Sequence, residues 1–274
     1  MSIKEITPEQ LRDFFQRTDE GAYALIDVRQ PGEYEQAHIP GARLLPLPEL
    51  IQTMDTLPHD RSIVFYCRSG GRSMAAATMA EEALDDRSPI YNLSGGMLAW
   101  DGAVAADFPR IGLFDRSATP LEMMEIAMNL EKGALLFYNH VAKRYEHENW
   151  SRGFEKLAAA EKGHAKTVYG YWSGLCDQAD IQPFESLFES LAGDMLEGGL
   201  SLEDALSQAG AVGDMACVRL AELALRIEYA AYDLYRTMAD QSLAPEPRQG
   251  FLKLAQAEKA HMRALAKSLD ECPE

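Results

Sequence analysis

Cys67 lies in a segment whose residue types and order could carry out nucleophilic chemistry. The segment Cys67-Arg68-Ser69-Gly70-Gly71-Arg72-Ser73 follows an apolar run at 63–66 and precedes a helix-forming run at 74–82. This order predicts a buried strand, a tight loop and a helix N-terminus. Backbone N–H groups and the positive end of the helix dipole would face the sulfur, and Arg68 and Arg72 are close in sequence. We therefore expect the pKa of Cys67 to lie below the ~8.5 of a free thiol, and we predict that it is a nucleophile.

A second group combines carboxylates with histidines at helical spacing. The segment at 154–164 recurs at 251–261, an offset of 97 residues, and each copy contains Glu-x-x-His. Glutamate and histidine at i, i+3 share one helix face and can bind one ion together. With one more glutamate thirty residues upstream of each copy, the candidate metal ligands are Glu131, Glu161, His164, Glu228, Glu258 and His261. They fall in apolar stripes, where four unpaired carboxylates would be costly, so two divalent ions are expected to balance them.

Two kinds of element must position these groups. Around Cys67, short apolar strands at 24–29, 63–66 and 89–93 alternate with helical segments. This alternation predicts an α/β domain with a mostly parallel sheet covered on both faces. In such folds ligands bind beyond the carboxyl ends of the strands, where Cys67 lies.

From about residue 119 the pattern is helical throughout. The periodicity predicts four long helices at 121–146, 151–172, 214–241 and 247–269. The joining segment 173–213 must cross the bundle and is expected to carry short helices at 184–197 and 202–208. Two antiparallel helix pairs with one long crossover predict an all-α four-helix bundle of ferritin type.

The N-terminal motifs resemble a single-domain rhodanese over residues 3–108. They are Asp27-Val28-Arg29, Glu33-Tyr34, Ala37-His38-Ile39-Pro40-Gly41-Ala42, the Cys67 segment, and Leu93-Ser94-Gly95-Gly96 with Trp100. The resemblance implies sulfur transfer. Cys67 would take the outer sulfur of a donor such as thiosulfate, hold it as a persulfide, and pass it to a thiol or anionic acceptor.

The resemblance also implies roles for the neighbours of Cys67. Arg68 and Arg72 would bind the anionic donor, and Asp27 and Arg29 would support the loop. The backbone amides of residues 68–72 would stabilise the persulfide, so the substrate-binding loop includes Ser69, Gly70, Gly71 and Ser73. The competing interpretation is a cysteine phosphatase or arsenate reductase, whose loop places five residues between cysteine and arginine. Here four residues separate Cys67 from Arg72, which favours the smaller, sulfur-sized loop.

The helical segment 121–270 resembles the rubrerythrin/ferritin-like family, with the six candidate ligands on its ligand positions. Tyr138 and Tyr235 match tyrosines that lie beside the ligands. The resemblance implies a di-iron site with oxidase or peroxidase-like chemistry, an external electron donor and a homodimer. Leu225 stands where a further ligand glutamate is common, and no paired C-x-x-C module is present. Iron storage or ferroxidase activity, and a metal-stabilised, non-catalytic dimerisation bundle, therefore stay open as alternatives.

Length and charge bound the remaining possibilities. A chain of 274 residues favours two domains, which we place at 1–112 and 119–274 with a linker at 113–118. The net charge of −17 argues against binding to nucleic acid or to an anionic membrane. No apolar run approaches the ~20 residues that span a bilayer, and the N-terminus does not resemble a signal peptide.

The cysteines bear on the cellular compartment. All four are scattered without the spacing of a disulfide framework, which favours a reducing cytoplasm. We expect Cys176, Cys217 and Cys272 to be packing residues or incidental thiols.

Overall fold

The computed structural model describes residues 3–84, 88–115, 117–269 and 272–273. The chain divides into two compact units, Met1–Phe108 and Pro109–Glu274. The boundary between the units lies after Phe108, before the predicted linker at 113–118. Phe114 of that linker is buried, and its ring packs edge-on against Phe251 at 5.4 Å within the second unit. Arg116 of that linker lies outside the described residues.

The first unit is built on a five-stranded parallel sheet, which confirms the predicted α/β class. Its strands are β1 (Lys4–Ile6), β2 (Tyr23–Asp27), β3 (Arg43–Leu44), β4 (Ser62–Tyr66) and β5 (Ile90–Leu93), in the spatial order β1-β5-β4-β2-β3. Its helices are α1 (Pro8–Arg17), α2 (Pro31–Gln36), α3 (Leu47–Leu50), α4 (Gly71–Ala83) and α5 (Gly96–Ala99). Separate apolar clusters cover the two faces, so β4 is buried on both sides and ends at the Cys67 loop.

The second unit is largely helical. Its helices are α6 (Pro120–Arg144), α7 (Ser151–Leu175), α8 (Phe184–Ser190), α9 (Leu202–Gly210), α10 (Ala216–Gln241) and α11 (Pro245–Ser268). Helix α6 packs on α7, α10 packs on α11, and the two pairs meet where α11 contacts α7. Thr119 begins α6 with a reciprocal cap, in which Thr119 Oγ1 accepts from the Glu122 amide and Glu122 accepts from the Thr119 amide. No helix among the described residues is long and apolar enough to cross a membrane.

The crossover between α7 and α10 differs from its predicted form. The helix expected at 184–197 ends at Ser190, and residues 191–201 form a loop closed by an antiparallel bridge between Met195 and Ser201. Gly193 and Gly199 adopt positive φ of 62° and 75°, a backbone region that a continuing helix cannot use. We call residues 191–201 the crossover loop.

The expectation of unpaired cysteines is wrong for one pair. Cys217 and Cys272 form a disulfide across 55 residues, because the first turn of α10 and the chain just after α11 lie together, with their Cα atoms 5.6 Å apart. Spacing could not reveal this pair, since the two cysteines meet only through the tertiary fold. The expectation of a reducing compartment depended on unpaired cysteines and loses that support.

Candidate functional site

Cys67 is held at the carboxyl end of β4 by the loop that leads into α4. Its side chain is buried and free of disulfide bonding. Gly70 adopts a φ of +97°, which turns its amide back so that Gly70 N donates to Cys67 Sγ at 3.1 Å. Ser73, in the first turn of α4, donates from Oγ to the same sulfur at 3.4 Å. The loop therefore surrounds one thiol with donors.

These donors control the ionisation of Cys67. Burial raises the pKa of the thiol, but the hydrogen bonds from the Ser73 hydroxyl and from the amides of Ser73, Ser69 and Gly70 outweigh burial and lower it. The arginines contribute differently from the expectation. Arg68 is exposed and is not among these donors, which belong to the loop backbone and to Ser73.

A second glycine turn supports the Cys67 loop from behind. Met97 N donates to the carbonyl oxygen of Cys67, and Leu98 N to that of Arg68, both at 2.9 Å. Gly96, at a φ of +54°, lies so close that a Cβ on it would overlap the Cys67 carbonyl oxygen. The turn at Gly95-Gly96 thus fixes the two peptide groups that follow Cys67.

Arg72 is fixed by a carboxylate that the sequence did not single out as a site residue. Its two terminal nitrogens donate to the two oxygens of Glu33, each at 2.8 Å, and about a third of each side chain is exposed. The hydrogen bond from Arg72 lowers the pKa of Glu33 to about 2. Arg72 also interacts with Cys67, so the pair orients a cation at the mouth of the loop.

Asp27 and Arg29 form a buried pair that supports a neighbouring loop. Arg29 donates from Nε and Nη2 to the Asp27 carboxylate at 2.7–2.9 Å, and from Nη2 to the carbonyl oxygen of Ala37 at 2.7 Å. The pair ties the end of β2 to the chain that follows α2. His38, one residue further on, is buried with its ring stacked on Tyr34.

The second candidate site lies among the four long helices. Glu131, Glu161, Glu228, Glu258 and His261 are all at least 95% buried. His164 Nδ1 lies 2.8 Å from Glu161 Oε2 and 3.1 Å from Glu131 Oε2. His261 Nδ1 lies 3.0 Å from Glu228 Oε2, 3.2 Å from Glu161 Oε1 and 3.3 Å from Glu258 Oε2. The structure therefore brings all six predicted ligands together.

Two tyrosines hold carboxylates of this cluster across the helix pairs. Tyr138 on α6 donates to Glu228 Oε1 on α10. Tyr235 on α10 donates to Glu131 Oε1 on α6, at 2.5 Å. The two contacts are related by the 97-residue offset of the sequence repeat, so the duplication extends to the residues behind the ligands.

The arrangement fits metal ions. One atom each of Glu161, His164, Glu258 and His261 lie within 4.8 Å of one another. His261 Nε2 and Glu258 Oε1 are buried without a hydrogen-bond partner in the described part of the chain. Buried polar atoms are normally paired, so atoms of this kind beside two histidines are suited to a cation.

Sequence reasoning missed one acidic residue of the cluster. Glu197, in the crossover loop, is 97% buried, and one of its oxygens lies within 4.8 Å of oxygens of Glu131 and Glu161. Burial, followed by the charges of Glu131 and Glu161, raises the pKa of Glu197 well above its ordinary value. No local motif marks this residue, because it reaches the cluster through the path of the loop.

The match to a known protein family lies within the first unit. Residues 7–103 match the rhodanese-like domain family. The putative sulfurtransferase YtwF of Bacillus subtilis is 38% identical over 102 residues, which cover 37% of this chain and 94% of that protein. A sulfurtransferase of Allochromatium vinosum is 37% identical over 98 residues, covering 36% of this chain and 88% of that protein. The solved rhodanese-like domain protein from Staphylococcus aureus is 24% identical, with a TM-score of 0.34, over 38% of this chain and 99% of that one.

A parallel sheet that ends in a cysteine within a loop of hydrogen-bond donors defines an α/β protein with a site suited to stabilising a thiolate. Through residues 7–103 the chain belongs to the rhodanese-like family. Relatives named as sulfurtransferases support a sulfurtransferase activity for this domain.

Proposed function

We propose that the first unit transfers sulfane sulfur through a persulfide on Cys67. The observation that carries this proposal is the set of donors around Cys67 Sγ, above all the Gly70 amide at 3.1 Å. The lowered pKa of this sulfur favours the thiolate, the nucleophilic form, and the same donors can stabilise the negative outer sulfur of a persulfide.

The reaction divides into two displacements that need no redox partner. With thiosulfate as donor, the Cys67 thiolate attacks the outer sulfur, the sulfur–sulfur bond breaks, and sulfite leaves with the electron pair. A nucleophilic acceptor, such as a thiolate or cyanide, then attacks the outer sulfur, and Cys67 leaves as the thiolate. Arg72, oriented by Glu33, and the exposed Arg68 would attract the anionic donor.

The proposal is tested with thiosulfate as donor and cyanide as acceptor, by measuring thiocyanate and the mass of the intact protein. We expect the parent to gain one sulfur atom and to produce thiocyanate, and Cys67→Ser to do neither. Cys176→Ser, which removes the other free cysteine, should keep both properties. Labelling at Cys176, or turnover by Cys67→Ser, would contradict the assignment. Hydrolysis of an aryl phosphate by the parent, abolished in Cys67→Ser, would favour the phosphatase alternative.

We further propose that the second unit binds two metal ions, most readily iron, in the manner of ferritin-like proteins. The observation that favours this is the convergence of four buried glutamates with two histidines, in which His261 Nε2 lacks a partner. The six predicted residues would hold the ions, and Glu161 contacts both histidines. Bound iron would supply one-electron chemistry with dioxygen or peroxide, drawing on an external electron donor.

Metal content decides between this proposal and its alternatives. We expect about two irons per chain in protein purified without oxygen, by analogy with di-iron bundles, and loss of both in Glu161→Gln/Glu258→Gln. Absence of metal in the parent would contradict the proposal. Metal that does not turn over with peroxide, in a dimer that dissociates on chelation, would indicate the non-catalytic dimerisation bundle. Accumulation of iron beyond two ions would indicate storage.

We also propose that the two activities are coupled in oxidative defence, which rests on their presence in one chain. The test compares peroxide turnover in the parent and in Cys67→Ser, and sulfur transfer before and after chelation of the metal. A change in either comparison would support coupling. Independence in both would leave two separate activities.

A further inference from the structure

The crossover loop is fastened to α6, the helix that carries Glu131. Gly193 N donates to Asn129 Oδ1 at 2.9 Å. Lys132 Nζ donates to the carbonyl oxygens of Phe188, Glu189 and Leu191 at 2.6–3.0 Å, which holds the chain just before the loop. Four hydrogen bonds with Asn129 and Lys132, one turn apart on α6, therefore set the position at which the loop begins.

The loop then passes between α6 and α10 at close range. A Cβ on Gly133 of α6 would overlap the carbonyl oxygen of Met195, and a Cβ on Gly198 would lie 2.8 Å from that of Ala230 on α10. Leu196 is fully buried, and its amide donates to the carbonyl oxygen of Leu200 at 2.9 Å. Glu197 lies at the inner end of this fixed turn.

The carboxylate of Glu197 is 97% buried within a cluster of acidic side chains. Its neighbours Glu131 and Glu161 are themselves carboxylates, each within 4.8 Å. Burying a carboxyl group beside like groups is costly, and here a closely packed loop holds it in place. An added cation would satisfy all three groups at once.

We propose that Glu197 is a seventh metal ligand, which completes an all-carboxylate position with Glu131 and Glu161. The proposal rests on the metal binding proposed above. It adds that the two metal positions have different ligands. One position is formed by Glu161, Glu258 and the two histidines, and the other by oxygen ligands alone. Imidazole suits Zn²⁺ and iron, whereas carboxylate oxygen suits hard cations such as Mn²⁺ or oxidised iron. The second position should therefore bind a hard cation.

The test uses Mn²⁺ alone, which is stable in air and visible by electron paramagnetic resonance. Metal-free parent protein, Glu197→Gln and the control Glu189→Gln are titrated with Mn²⁺ and examined by equilibrium dialysis and spectroscopy. Glu189 is exposed on α8, a few residues before the loop, so its variant carries the same chemical change outside the cluster. We expect two Mn²⁺ per chain and a spin-coupled spectrum in the parent and the control.

In Glu197→Gln we expect the second ion to bind at least tenfold more weakly and the spectrum to become that of a single ion. The thermal midpoint of the metal-free variant should equal or exceed that of the parent, because a buried carboxyl group beside like groups has been removed. A lower midpoint with unchanged Mn²⁺ binding would show a structural role and overturn the proposal. A parent that binds no ion at all would overturn the metal function of the bundle itself, so the two failures are distinguishable.

Discussion

At the scale of single residues, Ser73 is the side chain on which the reactivity of Cys67 most directly depends. Its hydroxyl and its amide both lower the pKa of the thiol, against burial, which raises it. Ser73 is itself fully buried, and its one hydroxyl hydrogen is shared between Cys67 Sγ at 3.4 Å and the carbonyl oxygen of Gly70 at 3.1 Å. The hydroxyl therefore supports both the thiolate and the shape of the loop.

Replacing Ser73 by alanine should shift thiolate formation at Cys67 to higher pH. A hydrogen bond to a charged group contributes about 1.5 kcal/mol, so we expect alkylation by iodoacetamide near neutral pH to slow about tenfold. The pH dependence of the alkylation rate measures the effect directly. Thr78→Ala removes an exposed hydroxyl from the same helix and should leave the profile unchanged. Equal profiles for the parent and Ser73→Ala would mean that the backbone amides alone determine the pKa.

Residues differ in how far the sequence reveals them. Cys67 and the Glu-x-x-His pairs stand in local motifs, so their chemistry could be predicted from residue type and spacing. Glu33 and Glu197 act on residues far away in sequence, Arg72 for the first and Glu131 for the second. Such partners are set by how elements pack, which a single sequence does not reveal.

At the scale of elements, the glycine turn before α5 determines where the Cys67 loop can lie. Gly95 and Gly96 both adopt positive φ, and the following amides bind the carbonyl oxygens of Cys67 and Arg68. The turn is therefore a support for the reactive loop as well as the end of β5.

Gly96→Ala should destabilise the first unit by about 2 kcal/mol or more, because alanine at positive φ is strained and its Cβ would overlap the Cys67 carbonyl oxygen. Urea unfolding monitored by alkylation of Cys67 reports on this unit. In Gly32→Ala, where a new Cβ meets no atom within 4 Å, the midpoint should stay close to that of the parent. A Gly96→Ala midpoint equal to that of Gly32→Ala would contradict the supporting role.

Long elements were predicted more closely than short ones. The four long helices begin and end within a few residues of their expected positions, since each presents several turns of apolar periodicity. The edge strands β1 and β3, of three and two residues, are too short to show a pattern. The helix expected at 184–197 fails beyond Ser190, where contacts with α6 and glycines at positive φ determine a loop instead.

At the scale of the whole molecule, the Cys217–Cys272 disulfide joins the beginning of α10 to the chain after α11. Cys217 is buried in the apolar cluster at that end of the bundle. The bond closes the second helix pair into a covalent ring and restricts its unfolded state.

Reducing this bond, or replacing both cysteines by serine, should lower the free energy of unfolding of the helical unit by about 2–4 kcal/mol. Urea unfolding with and without dithiothreitol measures the loss. Thiol titration of the unfolded, unreduced parent should find Cys67 and Cys176 reactive and Cys217 and Cys272 protected. Four reactive thiols in protein kept from reductants would contradict the pairing.

The crossover loop breaks the symmetry of the buried acidic cluster proposed to bind metal. The two helix hairpins make equivalent contacts through the sequence repeat, Tyr138 with Glu228 and Tyr235 with Glu131. Two hairpins joined in one chain have only one connection between them, and Glu197 lies in it. A homodimer of single hairpins would have two equivalent halves, each with the same ligands. If the proposed metal site is occupied, covalent fusion of the hairpins provides what duplication alone cannot: one ligand, Glu197, that occurs once, and two metal positions that differ.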